Sequence, residues 1–237
     1  FTTSPPCITQ GRNYKTHCSL KQQCMKIIIG TPVHQIKDYA IERWLLNVVE
    51  LQKAFPVDFM MVDNSPGFAF VDRIKSYCKK IGLTNYKIEH FEVVNADLDP
   101  DKTRCVNVEI SQEMIRQVTL RGDYDAWFSW ECDQIIPADT LSRLSLLMEA
   151  GKYMMVVVNS WARAIPGELN ANMGVTLISK DALKKGWFLP FEEGKISYNL
   201  EDFYNVDETV FKKRVLKNGG NYVEIYGVIE PILHLDK

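Results

Sequence analysis

Short apolar runs alternate with helical periods along residues 25–158, and that alternation leaves few architectures open to the chain. Residues 26–30 read as a buried strand running into the turn Thr31-Pro32. Ile41, Trp44, Leu45, Val48, Val49 and Leu51 recur at helical spacing over 41–54, and Pro56 closes that helix. A second apolar strand, 58–63, meets the turn residues Asn64-Ser65-Pro66-Gly67. A helix over 71–81 ends at Gly82, a strand covers 86–94, and a long helix over 104–121 stops at Gly122-Asp123. The same alternation predicts a strand from Ala126, a helix over 138–150 with Pro137 in its first turn and Gly151 as its C-cap, and a strand over 153–158. The implied class is α/β, with a mainly parallel central sheet flanked by helices. In such sheets ligands gather beyond the carboxyl ends of the strands, which puts Thr31, Asp63, Asn64, Glu131 and Asp133 on one edge.

The densest signal is Ala126-Trp127-Phe128-Ser129-Trp130-Glu131-Cys132-Asp133. A nearly unbroken apolar run ends in two acids, and in extended backbone residues two apart point to one side. Cys132, between them, is expected to face the core. Two carboxylates at the end of a buried strand make an oxygen-rich site suited to Mg²⁺ or Mn²⁺, with ligand phosphates completing the coordination.

The formal charge of -2 argues against a broadly cationic nucleic-acid binder. No apolar run reaches the ~18 residues of a membrane span, so no transmembrane segment is expected. Six cysteines without a paired C-x-x-C argue against structural zinc. The even count is compatible with disulfides, but free, buried thiols in a reducing compartment are the expectation, hence the cytoplasm, either free or peripheral to a membrane. Residues 1–24 are polar, carry Pro5-Pro6 and show no period. They are expected to form a loosely packed leader without a catalytic role, before a single domain over 25–237.

Beyond Val158 the pattern loosens. Residues 159–172 read as loop, 174–179 as a strand, 180–185 as a short helix, 207–218 as a helix ended by Gly219-Gly220, and 222–228 as a strand. Trp161, Trp187 and Tyr198 are candidates to line an acceptor site, although aromatic residues serve the core more often. Residues 25–158 are expected to form the nucleotide-binding half and 159–237 the acceptor half.

Taken in order, these residues resemble a glycosyltransferase of the GT-A fold, most closely the family 2 type and its relatives. The resemblance runs over roughly residues 25–237 and implies a mixed, mainly parallel central sheet. It rests on Thr31-Pro32 after the first strand, on Val62-Asp63-Asn64-Ser65 after the second, and on Arg104 and Asn107 at the start of the long helix. Glu131-Cys132-Asp133 stands where the family has D-x-D, and Gly174-Val175-Thr176-Leu177-Ile178 resembles the strand beside the acceptor. Asp207-Glu208 with Arg214 and Gly219 is similar to the catalytic-base helix, and His234 stands where several such enzymes place a third metal ligand. Two departures stand out: the first acid of the metal motif is Glu131, and the acidic pair is Asp-Glu instead of Glu-Asp.

The resemblance implies transfer of a sugar from a nucleoside diphosphate sugar, with UDP or GDP as nucleotide, to a carbohydrate or glycoconjugate hydroxyl, inversion being favoured. Asp133, Glu131 and His234 would hold Mn²⁺ or Mg²⁺. Thr31, Pro32, Asp63, Asn64, Arg104, Asn107 and Glu131 would bind the nucleotide sugar, and Asp63 would accept a hydrogen bond from the base. Glu208 would be the general base, with Asp207 capping its helix or orienting the acceptor. A sugar-phosphate nucleotidyltransferase is the first rival. It needs a glycine-rich, basic loop for a triphosphate, and residues 30–35 offer one glycine and no arginine. A non-catalytic binding domain of the same fold is the second.

Overall fold

The computed structural model describes residues 25–92, 100–159, 173–189 and 208–236. The expected leader 1–24, Asp207, Trp161 and Tyr198 lie outside the described residues.

The chain runs β1 (Ile27–Val33), a 3-10 turn (Gln35–Lys37), α1 (Asp38–Ala54), β2 (Val57–Asp63), α2 (Ala69–Ile81), β3 (Lys87–His90), α3 (Pro100–Arg121) and β4 (Ala126–Trp130). It continues with β5 (Gln134–Ile135), α4 (Thr140–Gly151), β6 (Met155–Val158), β7 (Val175–Ser179), α5 (Lys180–Lys185), α6 (Glu208–Lys217), β8 (Tyr222–Ile225) and β9 (Leu233–His234). Among the described residues, seven strands form one sheet in the order β3-β2-β1-β4-β7-β6-β8. Of these strands β7 alone runs antiparallel, to both β4 and β6, and the other pairings are parallel. β5 and β9 form a separate ribbon. The structure therefore has the mainly parallel sheet that the strand–helix alternation implies, mixed through β7 as the resemblance implies.

The apolar runs are continuous because both faces of the sheet are covered. Ile27 and Ile29 of β1 pack with Trp44, Leu45, Ile74 and Leu144 on the side of α1, α2 and α4. Ile28, between them, points the other way and packs with Ile115, Trp127 and Phe211 on the side of α3, α5 and α6. The same alternation splits Phe59 and Met61 from Met60 and Val62 in β2, and Phe128 and Trp130 from Trp127 in β4. Each such side chain contributes roughly 1.5–3 kcal/mol by leaving water.

Gly30 lets α3 lie close over β1. A Cβ there would meet Ile115 at 2.2 Å and the indole nitrogen of Trp127 at 2.7 Å. That indole instead donates to the Gly30 carbonyl at 2.9 Å.

Three local expectations change. The C-cap of α4 is Lys152, in the left-handed region at φ 51°, and Gly151 is the last helical residue. Gly151 answers a packing need: a Cβ there would sit 1.9 Å from the Tyr153 ring. Pro137 precedes α4 without entering it, and its carbonyl accepts from the backbone N–H and the hydroxyl of Thr140. β3 is also shorter than the strand expected over 86–94, ending at His90.

Candidate active site

Trp130 ends β4 against Trp44, with ring centroids 5.4 Å apart. Glu131 extends the pairing one step further, its N–H donating to the Gly174 carbonyl at 2.8 Å. The chain then turns: the Gln134 N–H donates to the Glu131 carbonyl at 3.2 Å, and the Trp130 indole donates to the Gln134 carbonyl at 3.0 Å. Asn47 of α1 clamps the outgoing segment, donating to the Ile136 carbonyl at 2.9 Å and accepting from its N–H at 2.8 Å. The acids are thus carried on a rigid bend.

Asp133 is 2% exposed. The Lys37 ammonium donates to its Oδ2, and the Tyr39 hydroxyl lies 3.4 Å from the same oxygen. Asp133 Oδ1 is buried with no hydrogen-bond partner among the described residues. The β5–β9 ribbon brings in a residue from the far end of the chain. Gln134 pairs with His234, and the Leu235 N–H donates to the Asp133 carbonyl at 2.8 Å. His234 Nδ1 consequently stands 4.0 Å from Asp133 Oδ2.

Glu131 accepts from the Gln134 side chain at 2.8 Å. Burial, and then the neighbouring Asp133, push its carboxyl above the ordinary range, while His234 and Lys37 act in the opposite direction. Cys132 lies in the core, as strand alternation predicts, and burial pushes its thiol up to about 12.

The expected metal ligands Glu131, Asp133 and His234 therefore share one corner. Among the described residues, no three His, Cys, Asp or Glu side chains form a cluster able to hold a metal ion by themselves. The partnerless Asp133 Oδ1 is the feature that fits a hard cation, with ligand oxygens supplying the rest of its shell.

A second polar group lies at the ends of β2 and β3. Asp63 is fully buried and accepts from the Ser65 hydroxyl at 2.7 Å and the Ser65 N–H at 3.2 Å through one oxygen. Its other oxygen lies 2.7 Å from His90 Nδ1. The Asp63 carboxylate is thus committed within the fold, and His90, its side chain 10% exposed, covers the second oxygen. His90 stacks against Phe68, centroids 4.3 Å apart, and Phe68 is itself 66% exposed. Asn64 donates to the Ser111 hydroxyl at 3.0 Å, and that hydroxyl donates to the Asn107 carbonyl at 2.7 Å. The Asn107 side-chain oxygen is buried without a partner. Thr31 is fully buried, its hydroxyl donating to the Trp130 carbonyl at 2.8 Å, which ties β1 to the end of β4. Pro32 follows it, half-buried, within β1. Arg104 is exposed, and no described hydrogen bond joins it to this group.

Glu208 opens α6 and reaches the acids indirectly. Its carboxylate accepts from the Gln112 side chain at 2.9 Å and from the Met173 N–H at 3.0 Å. The next residue, Gly174, is the one whose carbonyl receives the Glu131 N–H. Arg214 lies over the Trp187 ring at 4.3 Å and donates to the Trp187 and Leu189 carbonyls. Trp187 is therefore engaged within the fold. Lys37, Tyr39, His90, Gln112 and Gln134 were not expected at the site. Each lies far in sequence from its partner or is polar without a period, so local pattern carries no signal for it.

No family model matches the chain, and no curated protein matches it in sequence. Solved structures do match in fold. TarS of S. aureus aligns with TM-score 0.55 and 13% identity over 86% of this chain and 35% of its own. TarS 1-349 in complex with UDP-GlcNAc aligns with TM-score 0.54 and 14% identity over 86% of this chain and 58% of its own. The mannosyltransferase PcManGT from Pyrobaculum calidifontis, in complex with GDP-Man and Mn²⁺, aligns with TM-score 0.58 and 12% identity over 87% of this chain and 56% of its own. This chain thus spans between about a third and three-fifths of the structures it matches. It has the GT-A glycosyltransferase fold.

Proposed function

We propose that the protein is a metal-dependent glycosyltransferase that moves a sugar from a nucleoside diphosphate sugar to an acceptor hydroxyl. The observation that carries this reading is the convergence of Glu131, Asp133, His234 and the Glu208 tether at one end of the sheet. The neighbours bound to UDP-GlcNAc and to GDP-Man with Mn²⁺ support nucleotide sugars as donors.

Asp133 and His234, with Glu131 beside them, would hold Mn²⁺ or Mg²⁺. When bound, the cation would neutralise the charge developing on the leaving diphosphate. Glu208 takes the proton of the acceptor hydroxyl in an inverting reaction, as general base. Gln112 and the Met173 N–H fix its orientation. Asp207, outside the described residues, is proposed to cap α6 or orient the acceptor. Asp63 acts through His90, which it positions beside the exposed face of Phe68 for the base. Thr31, Pro32 and Asn64 shape the backbone around the nucleotide, while Asn107 and Arg104 face it from α3.

The test is donor turnover on a panel of UDP- and GDP-sugars with and without Mn²⁺, for the native chain and Glu208→Gln. Metal-dependent turnover is expected. Glu208→Gln should keep nucleotide binding and lose about 10²-fold or more in transfer, the scale of a lost general base. A dead Asp207→Asn beside an active Glu208→Gln would exchange the two roles. Activity in both variants would favour retention.

A further inference from the structure

We propose that Lys37 is a mobile counter-cation of the donor site: it neutralises Asp133 before the donor arrives and passes to the donor's diphosphate once a divalent cation takes Asp133. This rests on the transferase reading above. The two members of the pair are held very differently. Asp133 has a side chain 4% exposed on a bend fixed by the ribbon to β9. Lys37 has a side chain 40% exposed and ends a one-turn 3-10 segment, on a flexible four-carbon stem. Asp133 is the hydrogen-bond partner of its ammonium among the described residues.

A buried carboxylate without a countercharge is costly, so Asp133 needs a cation in every state of the protein. Lys37 meets that need through Oδ2 and leaves the buried Oδ1 open. A divalent cation on Asp133 would stand within a few ångströms of the ammonium. Like charges that close, meeting over a buried carboxylate, repel each other. The fixed acid cannot move, and the half-exposed lysine can. The donor supplies the next anion, because its phosphate oxygens share the cation with Asp133. An ammonium binds phosphate well as a point charge. Lys37 thus opposes metal binding alone and favours metal and nucleotide together.

The experiment measures Mn²⁺ affinity of the full chain without nucleotide, then UDP and GDP affinity at saturating Mn²⁺, by calorimetry. Lys37→Met is expected to bind Mn²⁺ alone about tenfold more tightly and nucleotide about tenfold more weakly, the scale of one charged contact. Lys37→Gln keeps a hydrogen-bond donor for Asp133 and should move both affinities in the same directions even where the methionine variant folds poorly. Lys37→Arg should restore nucleotide binding. Opposite movement of the two affinities is the signature that a purely structural lysine would not produce. Unchanged affinities, or a joint fall of both in a folded variant, would overturn the exchange and leave the transferase reading standing. A native chain that binds neither Mn²⁺ nor nucleotide would overturn both.

Discussion

Asp133 shows how much one side chain depends on its surroundings: one oxygen is covered by an ammonium and the other is buried with no partner among the described residues. Asparagine has nearly the same shape without the charge. We expect Asp133→Asn to fold, because no buried charge is left unpaired on the fixed side of the pair, and to lose Mn²⁺-dependent nucleotide binding, read by calorimetry. Glu131→Gln should weaken that binding less, since Glu131 spends one oxygen on Gln134 and its charged form is already disfavoured by burial. The cysteines give a second test at this scale. Burial raises the Cys78 thiol to about 11 and that of Cys132 to about 12, whereas Cys105 is exposed. The thiolate is the reactive form. A brief treatment of the native chain with a thiol reagent should therefore label Cys105 and spare Cys78 and Cys132, as peptide mass mapping will show.

At the scale of elements, two close fits carry the site. The first is α3 over β1 at Gly30. Gly30→Val would drive atoms into Ile115 and Trp127, and overpacking of this kind costs about 1–3 kcal/mol. Since β1 and β4 pair through Gly30 and Ser129, the strain falls on the strand that presents the acids. Denaturant midpoints should show the loss. The second is the turn that carries Lys37. His34 precedes it and accepts the Ile36 N–H at Nδ1, 3.2 Å away, which requires an unprotonated nitrogen. Burial holds His34 below its ordinary value of 6.5, partly offset by Asp63. With the folded value depressed, the unfolded chain takes up the proton first as pH falls. The histidine's contribution is therefore complete above pH 6.5 and is lost as pH drops from there through the lower folded value. His34→Gln should flatten that part of the stability–pH curve, measured by thermal melts between pH 7 and ~5.

For the whole molecule, a ligand that binds only the folded state raises its stability by mass action. At a hundred times its Kd, nucleotide with Mn²⁺ should add about 2.7 kcal/mol. In a chain of 237 residues that corresponds to a rise in Tm of about 5–10 °C. Nucleotide without metal should give a smaller rise, and Asp133→Asn should abolish the difference. No helix among the described residues is long and apolar enough to cross a membrane.

The sheet and most of its order of elements were legible from residue patterns, because burying both faces of a strand demands an unbroken apolar run and burying one face of a helix demands a 3.6-residue period. Glu131 and Asp133 were legible for the same reason: they interrupt such a run at its carboxyl end. The α4 boundary was misplaced because a glycine that caps a helix and a glycine that clears room for Tyr153 look alike in a string of letters. Asp63 stood out in sequence, yet only the fold shows its carboxylate held by Ser65 and His90. The sequence by itself determined the layers and the edge on which the acids lie. The tertiary structure alone decided that Lys37 and His234 meet Asp133 and that Glu208 is tied to the strand beside Glu131. Those contacts join residues dozens to about a hundred positions apart, and a charge met at that separation leaves no periodic trace in the chain.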